Sequence, residues 1–416
     1  VKAPAVLERR SAELGRVREA LVIVLIVTIP LAIGSVVWAA PGANADFNRR
    51  VSISPFDVPL ALLLVLALID RATPSRTRLD GWTRRIAIAL AVVILVALVA
   101  HPSPRGFDFA FRVASALAVV HALRRLGAAA RRRVLAVLVG TATVEAVIAL
   151  LQSAHGGGIG VGALEFSGFF YRFGSSTAAT AGFDHPYHLA CFLLVAIGAA
   201  LLGALGDERR TPWLIGVGVI AAGLATTYSR GVLVTLVVLL GILLFARGPA
   251  DRRRVRRAFA AVVAGGFLLV AVAFGDGYIA RGQTTSEGHV SSYRTDRARE
   301  AIRMTRAHPV LGVGPGRYTI ALESIEHTDL LPAHDAVLQE AAEAGVLAGV
   351  LTAALLLAMA VRSVRGGPEM LFVFAALIIF FVIDAYPYTF PTGMATTGLW
   401  LGLLEFTPSR HATGVR

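Results

Sequence analysis

The sequence predicts an all-α polytopic membrane protein of about twelve transmembrane helices, with a partly helical extracytoplasmic loop before the tenth. Three observations carry this. The 416 residues are 56% hydrophobic and only 16% charged, against about 25% charged in soluble domains, and the mean hydropathy is +0.69. Apolar runs of roughly 20 residues recur, each long enough to cross a ~30 Å hydrocarbon core. The basic residues gather in the connections between those runs. A net charge of +13 would also suit a nucleic-acid partner, but charge placed between apolar runs is what orients a chain in a bilayer. The whole chain, 1–416, is therefore expected to form one integral membrane domain.

The first span is expected at 20–40. Its basic head, apolar stretch and small residues at Ala43 and Ala45 imitate a signal peptide, but an apolar core of about 20 residues exceeds the usual 7–15. The next four apolar runs predict spans at 56–70, 86–101, 107–123 and 134–152. After a Gly/Phe/Ser-rich loop at 153–185, with the composition of a flexible lid, spans follow at 186–206, 212–227, 231–246 and 258–275. The segment 276–335 is too long and too polar to be a simple connection, and loops of this length usually carry function. Within it "SSYRTDRAREAIRMTRAHP" predicts a helix with a serine N-cap and a proline stop, and "RYTIALESIEH" a second short one. The last spans are expected at 336–361, 370–384 and 390–406.

With the N-terminus inside, 27 of the 40 lysines and arginines fall on the inner connections. The positive-inside rule thus expects both termini in the cytoplasm, in the cytoplasmic (inner) membrane, with both long loops outside. The single cysteine, Cys191, excludes an internal disulfide framework. No internal repeat of the kind that builds inverted-repeat transporters is evident.

Chemistry is expected on the outer face. Arg230 stands in a very tight turn between two apolar runs, in "TTYSRGVLVTL", where a snorkelling arginine is the plain alternative. Arg294, Arg297, Arg299, Arg303 and Arg306 crowd one stretch. Most of them suit the solvated face of an amphipathic helix, and one or two are enough to grip phosphate oxygens. "GVGPG", 312–316, lacks the Gly-Lys-Ser/Thr ending of a phosphate loop and fits a tight turn between surface helices. His334 precedes the tenth span, at a helix start that disfavours positive charge and so suits a proton-accepting imidazole. Asp335 beside it pulls the other way or caps the helix. Glu343, nine residues on, is about 13.5 Å deeper, so it does not share the His334 site, and a structural partner on another helix is expected for it. No two acidic residues stand at i,i+2, and His185 and His188 have no evident third ligand. No metal and no cofactor are expected.

"TYSRGVLVTL", "YRTDRAREAIRMTRAHPVLGVGPGRY" and "PAHDAVLQEAAEAGVLAG", in that order, resemble the signature region of the O-antigen ligase/polymerase superfamily. There a Ser-Arg-Gly turn, an Arg-headed helix ending in Pro-x-x-Gly-x-Gly, and a His-Asn pair opening a helix with Glu-x-Gly follow one another. "GFDHPYHLACFLL", 182–194, resembles its earlier Gly-Phe-x-Asn-Pro-Asn segment. The resemblance covers roughly 182–350 and implies a GT-C-like, O-antigen-ligase-type fold. It implies inverting, metal-independent transfer of a glycan from a polyprenyl diphosphate carrier to a glycan or glycolipid acceptor at the outer face. It makes His334 the general base, with Arg230 and Arg294 on the diphosphate; Arg172, His185, Tyr228, Arg317 and Asp335 are further candidates. The chain departs from the pattern at Asp335, at the second glycine of "GVLAG", and where His185 and His188 replace two asparagines. Ligation and polymerisation remain open, and a transporter or flippase of anionic lipid-linked glycans is the competing class.

Overall fold

The computed structural model describes residues 3–31, 33–40, 50–70, 81–166, 168, 170–286, 289–323, 332–383, 389–404 and 406. The small residues Ala43 and Ala45, the arginines of 71–80, the second half of 317–327 and the C-terminal arginines fall outside them. Helix α1 runs Ala3–Thr28, followed by an antiparallel pair, β1 Ser35–Ala39 and β2 Arg50–Ile53. Helices α2 Asp57–Ile69, α3 Gly81–Ala100, α4 Pro104–Arg124 and α5 Ala128–His155 come next. A small hairpin, β3 Arg172–Phe173 and β4 Ser176–Thr177, precedes α6 Pro186–Gly206, α7 Thr211–Ala225, α8 Arg230–Phe245 and α9 Ala250–Ala273. Then come α10 Gly275–Ser286, α11 His289–Ala307 and α12 Tyr318–Glu323. The last four are α13 Ala336–Ala344, α14 Val346–Gly366, α15 Pro368–Ile383 and α16 Pro391–Leu403.

Among the described residues six helices, α3, α4, α5, α6, α9 and α14, are long and apolar enough to cross a membrane, and α2, α7, α8 and α15 are shorter apolar helices. Helix α6 is the axis of the bundle: its residues from Pro186 to Ala204 are buried, and α5, α7, α15 and α16 pack around it. Small residues permit the close approach, since a side chain at Gly203 would meet the Trp213 ring at 2.4 Å. Outer helices show the reverse pattern. Helix α3 exposes Ile88, Val92, Leu95 and Val99, and α14 exposes Leu347, Val350 and Leu357. Such faces are stable against lipid and costly against water, so the chain is an integral membrane protein.

Three expectations need correction. The first helix stops at Thr28 rather than near residue 40. Pro30 cannot continue it, and Val36, Val37 and Trp38 belong to types that favour strands; they form β1 instead. The span at 336–361 is broken at Gly345, whose φ is +93°; a side chain there would lie 2.2 Å from the Val310 carbonyl oxygen. The helix in 276–335 begins at His289, so Ser291 and Ser292 lie inside it rather than capping it.

The 153–185 loop is fastened rather than lid-like. The Glu165 carboxylate accepts hydrogen bonds from the Gln152 side chain and the backbone N–H groups of Ile159, Gly160 and Val161. The Gln152 carbonyl oxygen accepts from Thr180 and Ala181. Burial pushes the Glu165 carboxyl up, and these donors more than offset it, holding it below the ordinary value. One carboxylate thus ties the end of α5 to the loop that enters α6.

Candidate active site

Chain reversals bring the N-termini of α4, α6, α8, α13 and α16 to one end of the bundle. Two contacts fix this: the Arg105 guanidinium donates to the Thr389 carbonyl across 284 positions of sequence, and one pocket is lined by residues opening both α6 and α8. The β1–β2 pair, the fastened loop and α10–α12 cover the same end.

That pocket has a volume of about 190 Å³. At its α6 side His185 is the N-cap: its Nδ1 accepts from the Tyr187 backbone N–H at 3.0 Å. An accepting Nδ1 leaves Nε2 as the protonated nitrogen of the neutral ring. At the α8 side Tyr228 is one of two non-glycine residues among those described with positive φ, at +49°, a conformation that costs roughly 1–3 kcal/mol and persists only where packing imposes it. Packing does impose it. The buried Tyr228 ring meets Phe173 edge-on at 5.9 Å and Tyr278 at 4.9 Å, and a side chain at Gly277 would lie 2.5 Å from it. The twist swings the chain so that Arg230 starts α8 exposed at the pocket wall.

Three guanidinium-bearing residues line this pocket: Arg230 from α8, Arg281 from α10 and Arg294 from α11. Arg281 lies over the Phe173 ring at 4.4 Å, a cation–π contact. Burial, and then the positive charges of Arg230 and Arg294, lower the pKa of Arg281. Among the described residues, none of those lining the pocket is a carboxylate. Three like charges drawn together at a low-dielectric surface repel one another, and an anion seated among them relieves that repulsion. A diphosphate has the charge and the oxygens to do so.

The structure brings Arg230, Arg294, His185 and Tyr228 together, and adds Arg281, which sequence reasoning missed. Its only sequence signal is position, since "GDGYIARGQ" is a polar stretch directly after an apolar run. Arg172 lies on β3, exposed, reaching the Gly156 carbonyl. Of the arginines from 294 to 306, Arg297 is buried at 3% exposure and the others are exposed.

His334 does not line the arginine pocket. It is half-buried just before α13, while Asp335 is the N-cap, its carboxylate accepting from the Leu338 N–H at 2.8 Å. Helix α13 packs along α11, with Ala301 and Met304 of α11 in one apolar cluster with Ala333 and Ala342. Its own start shares an apolar cluster with α4 and α16, in which Ala336 joins Phe109 and Met394.

The Gly-rich turn has a use beyond joining two helices. Its N–H groups at Val313 and Gly314 take the Ala342 and Glu343 carbonyls that α13 leaves unpaired at its end. Gly316, Tyr318 and Gln339 donate to the Glu343 carboxylate. The partner expected on another helix is instead this turn, running into the first residue of α12, together with Gln339 of α13 itself. Arg317, half-buried, follows the turn, donating its backbone N–H to Gly314. His188 bonds Asp184 through Nδ1, and among the described residues no group of three or more His, Cys, Asp or Glu could hold a metal ion.

Residues 215–353 match the family described as O-Antigen ligase. The matched stretch runs from α7 through α14 and includes Arg230, Arg281, Arg294 and His334. No curated protein matches the chain.

Proposed function

We propose that this chain, whose residues 215–353 match the O-antigen ligase family, is a metal-independent inverting glycosyltransferase. It moves a glycan from a polyprenyl diphosphate carrier to a hydroxyl acceptor on the outer face of the cytoplasmic membrane. The observation that carries this is the convergence of Arg230, Arg281 and Arg294 on one pocket, at the end of an apolar bundle. The donor has the same division: a hydrocarbon tail that belongs in the bilayer and a diphosphate that belongs at its surface.

In the reaction the acceptor oxygen attacks the anomeric carbon while the bond from that carbon to the diphosphate oxygen breaks. The electron pair leaves with the lipid diphosphate, whose growing charge the three guanidinium groups stabilise. The acceptor proton passes to the imidazole of His334. Helix α13 positions that residue at the same end of the bundle, beside α11, which bears Arg294. Tyr228 and Gly277 hold the turn that presents Arg230. The ligase activity, in which a finished chain is transferred once, is the reading adopted; an extending, polymerase-like activity would use the same groups.

A reconstituted transfer assay tests this, using undecaprenyl-diphosphate-linked glycan and envelope acceptor from the native cell. His334→Ala is expected to insert and fold but to lose transfer by at least a hundredfold. Full activity of His334→Ala would remove the base. Movement of the lipid across liposomes without any covalent change would favour a flippase instead.

A further inference from the structure

A second cavity, of about 210 Å³, opens at the same end of the bundle and shares a wall with the arginine pocket. The wall is the segment that enters α6. Asp184 lines the second cavity, and the next residue, His185, lines the arginine pocket, so the two spaces are separated by neighbouring positions about 3.8 Å apart. His188 ties the two sides together. It bonds Asp184, and its ring lies 5.3 Å from that of His185 and 4.7 Å from that of Phe390.

The chemistry of the two cavities differs. Among the described residues, the arginine pocket is lined by three cations and no carboxylate. The second has one of each sign, Arg50 and Asp184, together with the hydroxyl-bearing Ser54 and the rings of Phe166, Phe183 and Phe390. It suits no polyanion. Aromatic faces beside a carboxylate and hydroxyls match a sugar ring, which offers apolar C–H edges and a fringe of O–H donors.

We propose that this cavity binds the acceptor as a neutral, hydroxyl-bearing glycan, and that Asp184 accepts a hydrogen bond from one of its hydroxyls. The assignment rests on the donor reading above, which places the diphosphate on the far side of the His185 wall. Two further observations agree with it. Although burial pushes the Asp184 carboxyl up, His188 and then His185 hold it below the ordinary value, so it accepts rather than donates at neutral pH. The rim residues Phe390 and Thr392 lie just before Met394, which shares an apolar cluster with Phe109 and Ala336, the first residue of α13; the start of α13 is thus at the same end of the bundle as this cavity.

The test uses the full chain in nanodiscs and two probes: radiolabelled undecaprenyl diphosphate, and neutral oligosaccharides released by mild acid from the native cell envelope. Asp184→Asn and Phe390→Ala are expected to weaken oligosaccharide binding, read by saturation-transfer NMR, at least tenfold, the first by losing a charge-assisted hydrogen bond and the second by losing an aromatic face under the sugar ring. Both should hold undecaprenyl diphosphate within twofold of wild type. A diazirine-bearing version of the same oligosaccharides, cross-linked to the unsubstituted chain, should label peptides from 164–184 or 389–392. Labelling confined to other segments, or wild-type oligosaccharide affinity in both variants, overturns the assignment. Failure of the wild-type chain to hold undecaprenyl diphosphate sinks the donor reading instead, and the cross-link map still decides what the second cavity holds.

Discussion

The two ends of the bundle use arginine in opposite ways. At the end where α1 begins and α4 finishes, Asp70 gathers Arg18 at 2.6 Å, His121 at 3.2 Å and Arg125 at 3.3 Å. Arg133 pairs with Glu19, and Arg256 lies 3.8 Å from Glu369. At the other end Arg105 and Arg112 are likewise paired, with Asp108 and Asp57, but Arg230, Arg281 and Arg294 line a pocket with no carboxylate among its described lining residues. Guanidinium groups answered by the chain's own carboxylates hold helices together. Those that line the pocket, where no described lining residue is a carboxylate, are placed to meet an anion from outside. The number of arginines at an end says little about where binding occurs, because the arginine-rich end is the one expected to face the cytoplasm.

The largest effect that sharpens this contrast is in the pocket. Arg230→Ala and Arg294→Ala are each expected to lower transfer by about 10²–10³, the usual cost of removing one preorganised donor from developing negative charge, with the melting temperature unchanged. Arg281→Ala should cost less, about tenfold, because its charge is shared with the Phe173 ring. If these variants instead lost stability and kept activity, the two ends would not differ as described.

Next in size is Asp70→Ala. Removing one partner of a buried ion cluster leaves the others uncompensated and destabilises by roughly 3 kcal/mol. Thermal unfolding in detergent, followed by size-exclusion fluorescence, should show the drop, and surviving protein should transfer at the wild-type rate per folded molecule. Gly277→Ala comes third. Its new methyl meets the Tyr228 ring and Ser176, so it should destabilise by about 1–2 kcal/mol and weaken undecaprenyl diphosphate binding by displacing Arg230. A variant that binds normally would show that the Tyr228 turn does not set the position of Arg230. The smallest effect is expected from Arg133→Ala, whose side chain is 60% exposed; exposed pairs contribute little, and neither melting temperature nor transfer should change measurably.

The helical character and the rough position of each apolar run were legible in the sequence, since hydrophobic length and charge placement are local properties. The start of α6 at Pro186 coincides with its expected limit, because Pro at the first turn and an imidazole N-cap are written in "DHPYH". Arg230 was legible because a charge in a tight turn stands out against apolar surroundings; Arg294 was singled out from its cluster of arginines only by the family resemblance. The break at Gly345 was not, since the apolar pattern continues through it; what stops the helix is the Val310 carbonyl, 35 positions earlier, occupying the space a side chain would need. The fastening of the 153–185 loop escaped for a similar reason, as one carboxylate, Glu165, does work that composition assigns to nothing.

The sequence alone determined an apolar helical chain, the charges that sort its two ends, and the short list of side chains able to grip phosphate or take a proton. Those follow from residue type and spacing, which act within a few turns of helix. The tertiary structure decided which of those side chains share a space: it brought Arg281 to Arg230 and Arg294, left His334 outside their pocket, and set Asp184 on the other face of the same wall. Proximity between elements far apart in the chain depends on helix packing and on turns such as the one at Tyr228. No local pattern encodes that meeting.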